Sequence, residues 1–412
     1  MSNSVPEPAR PQSPAALRLS IAWAASGFGG GIYTPFFGAW LAWKGLNPAQ
    51  IGLLLSIGML LRVIVSPLTA IVADARNDRR SMMIVLMAAQ LVGYLGLSLV
   101  VTPFALFVVA ILANVAGSSY GPLMESVSLR LAERYGFDYG RVRLWNSSVF
   151  AATNLLSGLA ISQWGMIVLA PWLTLSTAGA MAAVIWLPAP PKGHRHGQLG
   201  VKLRATLAEA RELLGSAAFL IFLLAASFDQ GSHAFYYAYG GLHWRALGYS
   251  GTLIGALWPL GIVGEALLFS VSLRVMRTLG VTRLLLLGGI GCVLRWSVLS
   301  LDPALPFVVL VQFGHVATFA MAHLGAMYFL AQAVPPRLAA TAQSLYAVMS
   351  NGVVMGLATF ASGPIYAAYG GRTYLLMAAM GVVSVLFSLW LARAWHGGRI
   401  TAHVGEEVGD AI

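Results

Sequence analysis

GLNPAQIGLLLSIGMLLR, residues 45–62, lies without a gap over GYSGTLIGALWPLGIVGE, residues 248–265. Gly45 falls on Gly248, Ile51 and Gly52 on Ile254 and Gly255, and Gly58 on Gly261. A second echo at nearly the same offset sets Pro103, Phe107, Val108 and Val109 over Pro303, Phe307, Val308 and Val309. Each match is weak singly, because small and apolar residues recur in apolar helices. Together they indicate two repeated halves. The repeat also opposes Arg62 to Glu265. A two-fold axis along a membrane normal would set these opposite charges at similar depth, facing one cavity; the alternative is that each pairs within its own half.

Around that repeat the composition excludes an ordinary soluble domain. The chain of 412 residues is 58% hydrophobic and 9% charged, against about 25% charged in soluble domains. Apolar runs long enough to span a bilayer, about 20 residues each, occur at 18–43, 49–73, 81–101, 103–129, 142–163 and 166–187. A second set lies at 215–242, 250–273, 284–301, 304–333, 340–363 and 373–395. The predicted fold class is an all-α membrane protein with twelve transmembrane helices in two pseudo-symmetric six-helix bundles. The bundles cover 18–187 and 215–395. They are joined by a basic linker over 188–214 and flanked by tails at 1–17 and 396–412.

All but five of the twenty-five Lys and Arg residues fall in the tails, the linker and the loops on that same side. Lys44, Arg245 and Arg372 lie on the other side, and Arg62 and Arg295 lie inside spans. The positive-inside rule then places both termini in the cytoplasm, in the inner membrane of the cell. No cleaved signal peptide is expected, because MSNSVPEPARPQSP is polar and Pro-rich. The net charge of +11 reads as topology and does not imply a nucleic-acid partner. Cys292 is the single cysteine, so neither a disulfide framework nor a cysteine metal site can form.

Charges within the spans are few enough to take singly. GPLMESVSLRLAERYGFDYGRVRLWNSSVF, residues 121–150, is a charged hairpin between two apolar segments. It carries Glu125 near the end of one span and Arg143 at the start of the next, with a loop of Arg130, Glu133, Arg134, Asp138 and Arg141 between them. An isolated charge in hydrocarbon costs about 2.5–3.5 kcal/mol even on the gentler insertion scale. An ion pair or a polar substrate must account for them. A carboxylate in low dielectric can take up a proton near neutral pH, which makes Asp229 and Glu265 the leading proton sites; a static salt bridge to Arg295 or another cation is the alternative. His233, His315 and His323 could relay protons, and the last two share a helix face, being eight residues apart. Asp74, Arg79 and Arg80 close the second span as a candidate gating loop. No phosphate-binding loop, nucleophile elbow or two-histidine metal helix is present, so an enzyme is not expected.

The strings GIYTPFFGAWL (31–41), DYGRVRLW (138–145), GEALLFS (from Gly264) and VLRW (from Val293) resemble the 3-phenylpropionate permease family of the major facilitator superfamily. More distantly the chain is similar to lactose permease. The resemblance implies that Glu125 and Arg143, eighteen residues apart, match that permease's sugar-holding carboxylate and guanidinium. It likewise implies that Glu265, Arg295 and His315 fall on residues for sugar binding and proton coupling, and Asp229 on an acidic residue of the seventh helix. Thr318 stands where the permease has its acidic proton carrier, Asn351 where it has a lysine, and Phe150 where it has a stacking tryptophan. Arg62 occupies a position cationic in the phenylpropionate family.

These readings converge on a proton-coupled symporter of a small organic anion, an aromatic carboxylate such as 3-phenylpropionate, working by alternating access. Arg62 or Arg143 would hold the carboxylate with Glu125 nearby, Phe150 would stack on the ring, and Glu265 or Asp229 would carry the proton. No cofactor or metal is expected beyond the proton gradient. The expected partners are substrate, protons and the lipid bilayer, around a monomer. A sugar or nucleoside symporter, a drug or metabolite exporter, and a non-transporting sensor are the alternatives. The last has no soluble signalling domain to favour it.

Overall fold

The computed structural model describes residues 14–76, 78–188 and 199–400. α1 (Pro14–Trp43), α2 (Pro48–Arg76), α3 (Arg79–Leu99), α4 (Pro103–Tyr135), α5 (Tyr139–Trp164) and α6 (Leu169–Trp186) form the first six spans. α7 (Leu199–Leu214) is a helix of the linker, of which residues 189–198 lie outside the described residues. The seventh span is two pieces, α8 (Ala217–Gly231) and α9 (Ala234–Ala246), broken at Ser232 and His233. α10 (Gly251–Ser270), a short α11 (Ser272–Leu279) and α12 (Val281–Leu299) follow. The tenth span joins α13 (Leu305–Phe313) to α14 (Ala322–Ala333) through a π-helical stretch, Val316–Met321. The eleventh joins α15 (Ala339–Ala347) to α16 (Met355–Tyr369) through another, Val348–Val354, and α17 (Tyr374–Ala394) is the twelfth.

Among the described residues there is no strand, and nine helical runs are long and apolar enough to cross a membrane. The last of these, Pro336–Ala394, doubles back at Gly370–Thr373 and so counts as two spans. α1 and α5 complete the twelve. They miss the same hydropathy because α1 carries Gly27 and Gly29–Gly31, and α5 carries Asn146, Ser147, Ser148 and Asn154. Outward-facing Val92, Leu112, Leu175 and Leu294 are more than half exposed, as a lipid-contacting surface requires.

Local chemistry sets the helix ends. Thr102, Asp138, Ser216 and Ser250 each cap a following helix by accepting a backbone N–H. The 121–150 hairpin is tighter than the sequence suggests. α4 runs to Tyr135, ends at Gly136 in the left-handed region (φ 66°), and Asp138 restarts the helix, so Arg130, Glu133, Arg134 and Arg141 sit on helix ends and not in a loop. α1 likewise begins at Pro14, four residues before the expected span.

The core shows how the halves meet. One apolar cluster, including Ile32, Trp40, Leu54, Phe235, Ile254 and Trp296, runs through both halves at the end remote from the chain termini, which under the expected topology is the outer end. Toward the termini it divides. One cluster belongs to the first half alone, with Leu19, Met83, Leu123 and Val184, and another to the second half with α7, with Leu213, Phe222, Phe329 and Leu391. The seal at the outer end depends on backbones approaching closely. A Cβ on Gly158 of α5 would lie 3.1 Å from Gly255 Cα of α10, and the Tyr239 hydroxyl donates to the Pro48 carbonyl at 2.8 Å. The halves are therefore joined at the outer end and separate toward the termini.

Candidate functional site

A cavity of about 350 Å³ lies among α1, α2, α3, α4 and α6, with Tyr33, Arg62, Gln90, Asn114 and Tyr120 on its wall. Arg62 reaches it from the inward face of α2, four residues after Gly58, so the two share a face. Its Nη2 donates to the Asn351 carbonyl at 3.2 Å, across the gap between halves and onto the π-helical stretch of the eleventh span. Among the described residues this is its one hydrogen bond, and it has no carboxylate partner. The wall is otherwise built of neutral polar pairs: Tyr33 donates to Asn114 Oδ1 at 2.6 Å, Gln90 Nε2 to the Tyr94 hydroxyl at 3.1 Å, and the Ser26 and Tyr120 hydroxyls meet at 2.7 Å.

Glu125 and Arg143 do form the pair expected of them, but outside that cavity. Arg143 Nε donates to Glu125 Oε1 at 3.2 Å, and Nη1 donates to Asn146 Oδ1 at 3.0 Å. The Tyr139 hydroxyl also donates to Glu125, and the Arg143 guanidinium lies 4.5 Å over the Trp23 ring. Both side chains are more than a third exposed, Glu125 in the last third of α4 and Arg143 near the start of α5.

In the second half Arg295 is the centre. It is buried, and it donates from Nη1 to His315 Nδ1 and to Thr318 Oγ1, both at 3.1 Å, and from Nη2 to Gln312 Oε1 at 3.0 Å. Its guanidinium also lies over the Tyr236 and Trp296 rings. His233, in the break of the seventh span, meets Thr318 Oγ1 through Nε2 at 3.1 Å. A smaller cavity, about 160 Å³, opens here between the halves, with Thr34 and Phe150 facing Tyr236, Trp258, Arg295 and His315. The helix irregularities put these groups together: the break at Ser232 and His233 and the π stretch after His315 both turn polar side chains toward the centre, a common use of such defects.

A family model described as the MFS_1 like family matches residues 28–377. The chain belongs to that family. Like its relatives, the MFS_1-like chain is a membrane transporter and not an enzyme. A probable 3-phenylpropionic acid transporter of Escherichia coli (strain K12) is 30% identical over 375 residues, covering 88% of this chain and 96% of that protein. A maltose permease of Geobacillus stearothermophilus is 28% identical, over 84% of this chain and 87% of its own. The solved structure of the nucleoside transporter NupG superposes with a TM-score of 0.74 at 17% identity, covering 93% of this chain and 99% of that one, and so speaks for the fold.

Several expectations for this MFS_1-like chain change on the structure. Arg62 and Glu265 do not face one cavity: Arg62 crosses toward the other half, whereas Glu265 stays in its own, 3.9 Å from His315 Nε2. Phe150 does not line the Arg62 cavity but packs against Gly30, where a Cβ would lie 3.1 Å from its ring, and faces the smaller cavity. Asp229 makes no salt bridge to Arg295. It is buried, Cys292 Sγ lies 3.6 Å from its Oδ2, and its Oδ1 has no partner. His323 stands apart from the polar cluster, its ring stacked on Phe319, which stacks in turn on His315. Asp74 pairs with Arg79 at 2.7 Å, and Arg80 binds the Val184 carbonyl at 3.2 Å, so this loop ties α2, α3 and α6 within one half.

Sequence reasoning passed over Asn114 and Gln90, and also His243, whose Nε2 meets Asp302 Oδ1 at 2.7 Å at the outer end. Asp302 has a left-handed backbone, φ 47°, unusual for a residue other than glycine. The one local signal was its place in LDPALP, a turn-forming string.

Proposed function

We propose that this transporter is a proton-coupled symporter of a small organic anion, an aromatic carboxylate such as 3-phenylpropionate, that works by alternating access. The observation that carries the reading is Arg62, a guanidinium on a cavity wall with no carboxylate partner among the described residues. A cation placed at membrane depth without a counter-charge is costly. A bound carboxylate supplies that charge through a forked, charge-assisted contact. The name of the Escherichia coli relative, a probable 3-phenylpropionic acid transporter, supports the same substrate class.

Asp229 and Glu265 are the proton carriers in this reading, because neither has a strong cationic partner among the described residues. Arg295 and His315 link the smaller cavity to Glu265, and His233 joins them through Thr318. The protein sits in the inner membrane as a monomer with both termini cytoplasmic. The seal at the outer end then makes this the inward-facing state. Glu125 and Arg143 form a ready-made pair, which favours a sugar or nucleoside as second reading.

The test is uptake of labelled 3-phenylpropionate into proteoliposomes, with and without an inward proton gradient, beside Arg62→Ala. Gradient-driven accumulation that the substitution abolishes is the expected result. Accumulation with unchanged affinity in Arg62→Ala removes Arg62 from the site. Inhibition by galactosides or nucleosides and not by arylalkanoic acids favours the second reading.

A further inference from the structure

The Arg62 cavity has more hydrogen-bonding capacity than a bare aryl acid can use. Asn114 uses its Oδ1 for Tyr33, and Gln90 uses its Nε2 for Tyr94. Among the described residues, Asn114 Nδ2 and Gln90 Oε1 have no partner, and neither is sealed in as a buried orphan. Their positions relative to Arg62 follow from the helices. Asn114 lies beside Gly58, where a Cβ would be 3.6 Å from Asn114 Cβ. Gly58 precedes Arg62 by four residues, or about 6 Å along α2. Gly117, three residues after Asn114 on the same face of α4, leaves room for the Gln90 amide; a Cβ there would lie 3.2 Å from Gln90 Oε1.

Resting on the aromatic-carboxylate reading, we propose that Asn114 and Gln90 form a subsite for a hydroxyl on the substrate's ring, so that the preferred substrate is a hydroxylated aryl carboxylate. A phenolic hydroxyl both donates and accepts. It can donate to Gln90 Oε1 and accept from Asn114 Nδ2 while the side-chain carboxylate, a few bonds away, meets Arg62. A bare ring displaces water from both amide ends and replaces none of its hydrogen bonds. Sites built to bond a hydroxyl discriminate strongly against the analogue that lacks it.

The experiment compares proteoliposome uptake of 3-phenylpropionate and 3-(3-hydroxyphenyl)propionate by the full chain and by Asn114→Leu and Gln90→Met. The expected result is a KM about tenfold lower for the hydroxylated acid, with each substitution bringing the KM values of the two acids together. Equal handling of the two acids by the unsubstituted protein overturns the subsite alone, and does not depend on how the variants fold. A preference that survives both substitutions overturns the assignment to Asn114 and Gln90. Uptake of neither acid overturns the aromatic-carboxylate reading and this proposal with it.

Discussion

Asp229 and Arg295 are both buried in the second half, yet they make no ion pair with each other: Cys292 lies beside Asp229, while Arg295 is shared among His315, Thr318 and Gln312. Protonating the carboxyl would therefore break no salt bridge to Arg295, as the proposed proton-carrier role requires, and Asp229 lines neither the Arg62 cavity nor the smaller one. Asp229→Asn should fold and should still exchange labelled for unlabelled substrate across the membrane. It should lose accumulation driven by a proton gradient. Measuring exchange and accumulation side by side checks this, and loss of both together would place Asp229 in the scaffold.

Arg62 gives a sharper expectation through charge geometry than through charge alone. Arg62→Lys keeps the cation but loses the planar fork that fits a carboxylate. Losing one charge-assisted hydrogen bond costs about 1.5–3 kcal/mol, so KM should rise by roughly tenfold or more. The Asn351 carbonyl would also lose its partner from the other half. Substrate dependence of uptake by Arg62→Lys and Arg62→Ala separates these effects, since only Arg62→Ala removes the charge.

How much of this was legible in the sequence follows from the range of each interaction. The repeat of Gly45–Arg62 in Gly248–Glu265 was readable because helix packing writes small residues at fixed spacing along one span. Glu125 and Arg143 were readable because a helical hairpin brings residues eighteen apart together, as the 3.2 Å contact shows. Asn114 and Gln90 left no such mark. A neutral amide in an apolar helix has no local pattern, and its meaning comes from three other helices that converge on it. The break at Ser232 and His233 and the two π-helical stretches were equally silent, since no proline lies within them and their cost is met by tertiary contacts. The opposition of Arg62 and Glu265 misled because a two-fold axis relates backbones, while side chains choose partners locally.

The outer seal should respond to volume at Gly158. A Cβ there would lie 3.1 Å from Gly255 Cα, and neither backbone can retreat without parting α5 from α10. Gly158→Val should hold the halves apart at the outer end, slow uptake and leave substrate binding measurable. Pairs of spin labels on the outer ends of α5 and α10 should report a longer distance than in the unsubstituted protein. An unchanged distance with normal uptake would mean that the seal tolerates the added volume.

The linker helix offers a pH-dependent contact outside the membrane. Arg337, before α15, donates from Nη1 to Glu212 Oε2 of α7 at 2.8 Å and from Nη2 to Oε1, and it holds the Glu212 carboxyl below the usual carboxylate range, chiefly through these hydrogen bonds. A carboxyl whose value is lowered on docking contributes fully above its ordinary pKa, and the contribution fades as pH falls through the lowered one. Docking of α7 on the second half should therefore be intact at neutral pH and weaken only in acid. Glu212→Gln should weaken it at neutral pH and remove the acid dependence. Thr341, which donates to Glu209, provides a second tie, so α7 should loosen without releasing fully. Hydrogen exchange across 199–214 at neutral and acid pH, in both proteins, measures the effect. Equal protection in the two at neutral pH would show that burial of Leu213, and not the ion pair, holds the helix.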